Sequence, residues 1–220
     1  MDNAGYGVIE TMRVRDGRIP FLERHLARLG RSLGGLGLAK SSQDVAALVR
    51  PFAGTGDAVL RVEVRDGRAS VTVRELPPLG APAVITASEP HQPYPHKTTE
   101  RDCFTDAGQE AEVAEADDAL LLTPEGWVAE GTAWTVFWWD GAALRTPALE
   151  LGVLPGIGRG RLLELASGVE GRHVRSALDG KSLLLVNAVR GVVPIASLDG
   201  QAVSADPRTL HLAERFWPEG

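Results

Sequence analysis

Three features within residues 94–159 are suited to one piece of chemistry: Lys97 in H-K-T-T-E-R, Glu130 in G-W-V-A-E-G-T, and the turn L-P-G-I-G-R from Leu154 to Arg159. A lysine amine adds to a carbonyl to form an imine. A carboxylate pairs with a protonated ring nitrogen, and the amides of a glycine-rich turn bind phosphate. An imine-forming cofactor that carries a pyridine nitrogen and a phosphate has all three needs. Pyridoxal phosphate is such a cofactor.

Each feature also has a plainer reading. A lysine that attacks a carbonyl must be neutral, which calls for desolvation or a nearby positive charge. Arg101 lies one helical turn beyond Lys97 if the segment is helical, and Tyr94 and His96 flank it. On spacing alone, however, Lys97 reads as a loop lysine after prolines. Glu130 follows an apolar run and precedes Gly131-Thr132, so it is either paired in the interior or a strand-end glutamate facing water. The L-P-G-I-G-R turn precedes a helix, where amides lack intrahelical partners, and Gly156 and Gly158 let backbone approach closely. Proline–glycine turns that start helices without any ligand are also common. The three together say more than each alone.

The composition narrows the class. The chain has 220 residues, 44% hydrophobic and 24% charged, which suits one large or two small globular domains. A net charge of −6 argues against an electrostatic nucleic-acid binder. Cys103 is the only cysteine, so neither a disulfide framework nor a cysteine metal site is expected. No apolar run approaches the ~20 residues of a membrane span, and M-D-N-A-G lacks a signal peptide's character, so a cytoplasmic protein is expected. Lys40, Lys97 and Lys181 are the only lysines among 23 basic residues. Where arginine supplies most of the surface charge, a retained lysine is a better candidate for amine chemistry.

The elements that must position these groups follow in order. G-V-I-E-T-M-R-V, the turn Asp16-Gly17 and R-I-P-F-L predict a hairpin. Leu22, Leu26, Leu29 and Leu33 predict a helix that stops at Gly34-Gly35. His25 and Arg28 share one face of it, and by spacing alone His25 packs or caps and Arg28 is solvated. Ser41 to Asp44 cap a short helix, and A-V-L-R-V-E-V-R-D-G-R-A-S-V-T-V-R is a clear hairpin about Asp66-Gly67. We expect a small α+β domain over 1–80, a proline-rich linker region over 81–93 containing a strand near Val84, and a larger cofactor-holding domain over 94–220. The larger domain opens with a helix in T-D-A-G-Q-E-A-E-V. A strand follows, then a turn at Pro124 to Gly126, one strand to Asp140, a helix after L-P-G-I-G-R, a buried strand broken at Gly191, and a terminal helix. His91 and His96 alone approach metal-ligand spacing, in a proline-broken stretch, and no metal is expected. No G-x-S-x-G, Walker loop or dinucleotide fingerprint is present.

The ordered motifs carry a resemblance. G-Y-G-V-I-E-T-M-R-V, H-L-A-R-L, H-K-T-T-E-R, A-D-D-A-L-L-L, G-W-V-A-E-G-T, Thr146-Pro147, L-P-G-I-G-R and V-N-A-V-R-G-V-V-P-I resemble the fold-type IV pyridoxal-phosphate enzymes. These are branched-chain and D-amino acid aminotransferases and aminodeoxychorismate lyases. The resemblance implies a two-domain α+β or α/β fold like that of D-amino acid aminotransferase, with the cofactor between the domains and a homodimer whose partner contributes to the site. It implies that Lys97 holds the cofactor and shuttles a proton and that Glu130 binds the pyridine nitrogen. Arg28 would bind the phosphate, which displaces its solvated reading, and Ile157 and Gly158 would offer their amides to it.

Within the superfamily, K-T-T-E-R and N-A-V-R-G-V-V-P resemble the lyases most. Asp102 and Ala188 stand where aminotransferases often have a tyrosine and a phosphate-binding threonine, which also favours the lyase branch. The reaction this implies is release of pyruvate and 4-aminobenzoate from 4-amino-4-deoxychorismate. The alternatives are a class IV aminotransferase for branched-chain, D- or other amino acids, and a non-catalytic relative used as a binding module. Arg13, Arg101 and Arg190 are candidates for substrate carboxylates and read equally as surface arginines. The chain departs from the pattern at Glu100 for a common asparagine, Gly158 for a common threonine, Thr135 for a common asparagine, and in a missing strand before G-Y-G. A sheet edge or part of the pocket is therefore expected to differ.

Overall fold

The computed structural model describes residues 6–218, so the strand expected to be missing before G-Y-G lies outside its reach. The chain forms two compact units. The first holds residues 6–78 with 96–100, and the second holds 79–95 with 101–218. These limits differ from the expected 1–80, 81–93 and 94–220 in two places. The Lys97 segment belongs to the first unit, and the proline-rich stretch is part of the second.

The first unit contains β1 (Val8–Val14), α1 (Leu22–Gly35), α2 (Val45–Val49), β2 (Ala58–Arg65) and β3 (Arg68–Arg74). The three strands form an antiparallel sheet in the order β1-β2-β3. Alternation along β1 sends Val8, Met12 and Val14 into a core with Leu29 and Leu33 of α1 and Leu60, Val62 and Val64 of β2. The β2–β3 hairpin turns on Asp66 and Gly67, both at positive φ (49° and 70°), as a two-residue turn that matches strand twist requires. Asp44 caps α2 by accepting the Ala46 N–H at 2.9 Å.

The hairpin expected at Asp16-Gly17 does not extend. Only Arg15 and Arg18 bridge across that turn, and β1 pairs along its length with β2 instead. Pro20 lacks an N–H for a ladder, Phe21 takes a left-handed conformation (φ 60°), and α1 begins at Leu22.

The second unit contains β4 (Ala83–Thr86), α3 (Asp102–Val113), β5 (Asp118–Leu122), β6 (Val128–Gly131), β7 (Thr135–Asp140), β8 (Ala143–Pro147), α4 (Ile157–Ala166), β9 (Val169–Gly171), β10 (Ser182–Asn187), β11 (Gly191–Pro194), β12 (Ser197–Leu198), β13 (Gln201–Ala202) and α5 (Pro207–Arg215). They build two five-stranded mixed sheets, ordered β11-β10-β7-β8-β9 and β13-β12-β4-β5-β6. Val84, Leu120 and Val128 of one sheet pack with Val136, Trp138, Leu183 and Leu185 of the other. The opposite face of β5, with Ala119 and Leu121, packs with Phe104, Ala107 and Ala111 of α3 and with the free thiol Cys103. Helix α4 rests on β10, and α5 rests on β11. Burial on both faces explains why D-A-L-L-L reads as a continuous apolar run.

Two expected single strands are pairs. The stretch after Pro124–Gly126 divides into β6 and β7, which enter different sheets across residues 132–134. K-S-L-L-L-V-N-A-V-R-G-V-V-P is a β10–β11 hairpin, not one strand with a break. Asn187 makes the reversal: its Oδ1 accepts the N–H groups of Val189 (3.0 Å) and Arg190 (2.8 Å), and Gly191 follows at φ 76°. No helix of the described residues is long and apolar enough to cross a membrane.

Candidate active site

In the first unit, Glu10 points from β1 into the core among apolar neighbours and is 0% exposed. It faces His25 and Arg28 on α1. Arg28 donates from Nε to Oε1 at 2.8 Å and from Nη2 to Oε2 at 2.7 Å, and His25 Nδ1 lies 2.6 Å from Oε2. Burial alone would raise the Glu10 pKa. The Arg28 charge and the His25 and Arg28 hydrogen bonds outweigh it and bring the pKa from 4.5 down to about 2. Arg28 is thus a buried guanidinium fixed by a bidentate partner, not the solvated charge that spacing alone suggests.

Lys97 is set against the neighbouring residue of the same strand. Its carbonyl accepts the Ile9 N–H at 2.8 Å, and Thr99 N–H donates to Gly7 O at 2.9 Å, so residues 96–100 lie along the outer edge of β1. The Glu10 side chain and the Ile9 amide therefore index Arg28 and Lys97 to one strand. His96 Nδ1 sits 3.3 Å from Ser32 Oγ in the first unit, and His91 Nε2 lies 3.0 Å from Glu130 in the second. Arg13 is paired with Asp57, which weakens its candidacy for a substrate carboxylate.

In the second unit, Glu130 is 5% exposed at the end of β6. Its Oε1 accepts the Leu154 N–H and faces His91 Nε2, both at 3.0 Å. Among the described residues nothing hydrogen-bonds Oε2. A buried carboxylate with one oxygen doubly held and the other open fits a cationic ring nitrogen as the remaining partner. The Leu154 bond also fastens Glu130 to the L-P-G-I-G-R turn, three residues ahead of α4.

Gly156 is the N-cap of α4, and the Gly160 N–H reaches Gly156 O at 3.0 Å. The amides of Ile157, Gly158 and Arg159 precede that first helical bond, which makes this end a place for an anion. Gly158 is tightly enclosed. A Cβ there would lie 2.8 Å from the backbone carbon and 2.9 Å from the Cα of Asn187. The departure from threonine thus has a steric reason. The Arg159 side chain is taken up elsewhere, by Pro147 O at 3.0 Å and Glu170 at 2.6 Å.

The E-G-T segment is held by Asp118. Its buried Oδ1 accepts Thr132 Oγ1 at 2.5 Å, Thr132 N at 3.1 Å and Ala119 N at 2.8 Å. Burial raises the Asp118 pKa in spite of these bonds and of the charge of Arg101. Arg101 Nη2 donates to Thr132 O at 2.5 Å, with its guanidinium 4.9 Å from the Phe104 ring centre. Arg101 therefore clamps this loop. Arg190 is half-buried beside the Asn187 turn.

Reasoning from sequence did not find Glu10 or Asp118, and it weighed His91 only as a metal ligand. Glu10 had a signal, because it occupies the apolar phase of Val8, Met12 and Val14. His91 had none beyond its nearness to Lys97 in sequence, since its partner is 39 residues away.

Residues 7–198 match the model of the amino-transferase class IV family. The chain belongs to that family. Relatives of this class IV chain include an aminodeoxychorismate lyase of Bacillus subtilis, 31% identical over 102 residues that make up 40% of this chain and 35% of that one. The match thus spans about a third of the length of that curated relative. A crystal structure of a putative branched-chain amino acid aminotransferase from Thermotoga maritima superposes with a TM-score of 0.87 at 25% identity, over 96% of this chain and 84% of that one. A putative amino-acid aminotransferase from Mesorhizobium loti superposes with a TM-score of 0.80 at 31% identity, over 88% of this chain and 100% of that one. The mixed α+β architecture is that of the class IV fold.

Two outcomes follow for the site. Glu10 ionises about two and a half units more easily when folded, equivalent to about 3 kcal/mol. That stability is complete above pH about 4.5 and is lost as pH falls toward 2. Denaturant titrations across this window should show a steeper acid loss for the native chain than for Glu10→Gln. The variant should be less stable at pH 7 by about 3–5 kcal/mol, since it leaves Arg28 buried without its counter-charge. Gly158→Ala must displace the Asn187 backbone and should lower stability by about 1–3 kcal/mol in the same assay.

Proposed function

We propose that this chain is a pyridoxal-phosphate-dependent enzyme acting on a primary amine, within the lyase branch of its family. The observation that carries the reading is Glu130, whose Oε1 is held by His91 and the Leu154 amide while Oε2 takes no partner among the described residues. In this reading Glu130 pairs with the cofactor's ring nitrogen. The amides of Ile157 and Gly158, with Arg28, hold the phosphate, and the Lys97 amine holds the aldehyde carbon.

Bound pyridoxal phosphate supplies a carbonyl that condenses with amines and a pyridinium ring that accepts an electron pair. The chain's own residues do the rest. Arg28 has Nε and Nη2 fixed by Glu10, which is itself bonded to His25, and this sets the direction of its guanidinium. Glu130 keeps the ring nitrogen protonated through its own negative charge. Lys97 takes a proton from the substrate carbon and returns it.

For 4-amino-4-deoxychorismate, loss of the proton on the amine-bearing ring carbon accompanies cleavage of the bond between the adjacent ring carbon and the enolpyruvyl oxygen, and the departing enolpyruvate takes up a proton at its methylene to become pyruvate. The products are pyruvate and 4-aminobenzoate, with no second substrate. Ala188, nearly buried beyond β10, and Asp102, exposed in the first turn of α3, support this branch because neither reproduces the side chain common in aminotransferases. The second reading is an aminotransferase for a branched-chain, D- or other amino acid. It is favoured by the aminotransferase names of the Thermotoga and Mesorhizobium structures and uses the same Lys97 and Glu130. A homodimer, cytoplasmic in location, belongs to both readings.

Borohydride reduction of the protein loaded with pyridoxal phosphate, followed by peptide mass mapping, should place the adduct on Lys97. Lys97→Ala should lose the visible absorption band and at least about a thousandfold in turnover. Pyruvate release from aminodeoxychorismate without a keto acid selects the lyase, and turnover that requires a keto acid selects the aminotransferase. A protein that stays colourless with added cofactor, or an adduct on Lys40 or Lys181, overturns the assignment.

A further inference from the structure

We infer that His91 is a positioning residue for Glu130: it holds Oε1 so that Oε2 meets the cofactor's ring nitrogen in a single orientation. This rests on the proposed role of Glu130. The observations lie within the second unit and stand without the cofactor.

His91 is 2% exposed and is fixed on three sides. Its backbone N–H donates to Leu122 O at 2.7 Å at the end of β5, its ring meets the edge of Phe104 with centres 5.8 Å apart, and its Nε2 lies 3.0 Å from Glu130 Oε1. Since an ionised carboxylate only accepts, Nε2 carries the proton and donates it. Nδ1 is buried and has no hydrogen-bond partner among the described residues. A second ring proton there would be a buried donor with nothing to receive it, so the pattern is that of a neutral imidazole.

This neutrality gives the arrangement its use. An arginine or lysine at this place would also orient Glu130, but it would form an ion pair and spend the carboxylate's charge on itself. A neutral donor fixes the direction of the carboxylate and leaves its charge for a cation at Oε2. The Leu154 amide, also neutral, acts on the same oxygen. Two neutral donors on Oε1 prevent the carboxylate from rotating and leave one oxygen presented. Partners that orient a ligating group are commonly worth about 10–100-fold in affinity where the bound group is a metal ion, and a pyridinium nitrogen calls on the same kind of orientation.

The test uses the cofactor affinity of the apoprotein, followed by absorbance with added pyridoxal phosphate, alongside thermal melting of the apoprotein. His91→Phe keeps the ring and removes the donor, and should weaken binding by about 10–100-fold while still yielding the reduced adduct on Lys97. His91→Gln places an amide N–H at the reach of Nε2 and should recover most of the loss. His91→Asn, one methylene shorter, should not. This contrast holds even if the phenylalanine variant fails to fold. In an E130Q background, His91→Phe should cost no further affinity, because His91 acts only through the carboxylate.

The inference is overturned if His91→Phe binds the cofactor as the native chain does and merely melts earlier. Equal losses with and without E130Q, or asparagine serving as well as glutamine, also overturn it. A native chain that takes up no pyridoxal phosphate overturns the function itself, a result read before any variant is made.

Discussion

A carboxylate is costly to bury unless it is well bonded, and each unit holds one at its centre, Glu10 and Glu130, bonded in a different way. Glu10 is satisfied completely inside the first unit by Arg28 and His25. Glu130 has Oε1 held twice, by His91 and the Leu154 amide, and no hydrogen bond on Oε2 from the described residues. The cost of desolvating an ionised carboxyl is large enough that neither arrangement persists by chance. In Glu10 the price is met by a guanidinium, and the pKa falls to about 2. Around Glu130 the partners are an imidazole and a backbone amide, with no arginine or lysine bonded to it among the described residues.

Asp118 makes the contrast clearer. It too is buried with one well-bonded oxygen, but its three bonds come from Ala119 and Thr132 without a close cation, and burial raises its pKa. Arg101 contributes charge from a distance and spends its own hydrogen bond on the Thr132 carbonyl. Asp118 therefore acts as a brace for the chain just past Glu130, where β6 gives way to the crossing into β7. Two carboxylates twelve residues apart in sequence thus sit differently: Asp118 ties the loop, and Glu130 is tied to the turn ahead of α4.

Much of this organisation was legible in the residues. The α1 helix, the Asp66-Gly67 hairpin, the capped α2 and the α4 start all followed from local patterns that the structure repeats. What was not legible depended on distant partners. The Asp16-Gly17 turn looked like a hairpin because its local chemistry is that of one, and only the competition from β2, more than forty residues on, decides otherwise. The Gly191 break looked like an interruption of a strand, whereas the Asn187 side chain folds the strand back on itself. Glu10 could have been noticed as a charge in an apolar phase, and its partners then sought on the helix face that holds His25 and Arg28. His91 carried no such mark. Its meaning lies wholly in where β5 ends and β6 runs.

Gly158 shows how such distant constraints change the reading of a single position. Seen as a departure from threonine, it is a lost hydroxyl and a weakened anion site. Set against Asn187, it is the residue that lets the first turn of α4 approach the end of β10 more closely than any side chain permits, with backbone atoms 2.8–2.9 Å from where a Cβ would stand. Asn187 in turn has its Oδ1 committed to the Val189 and Arg190 amides, so it cannot move away without undoing the β10–β11 turn. The helix end that offers amides to an anion is thus pressed against a turn that is already rigid, and through Leu154 it is tied to the carboxylate as well. A glycine here exchanges one hydroxyl contact for a fixed backbone, and a fixed array of amides binds phosphate at less entropic cost than a mobile one.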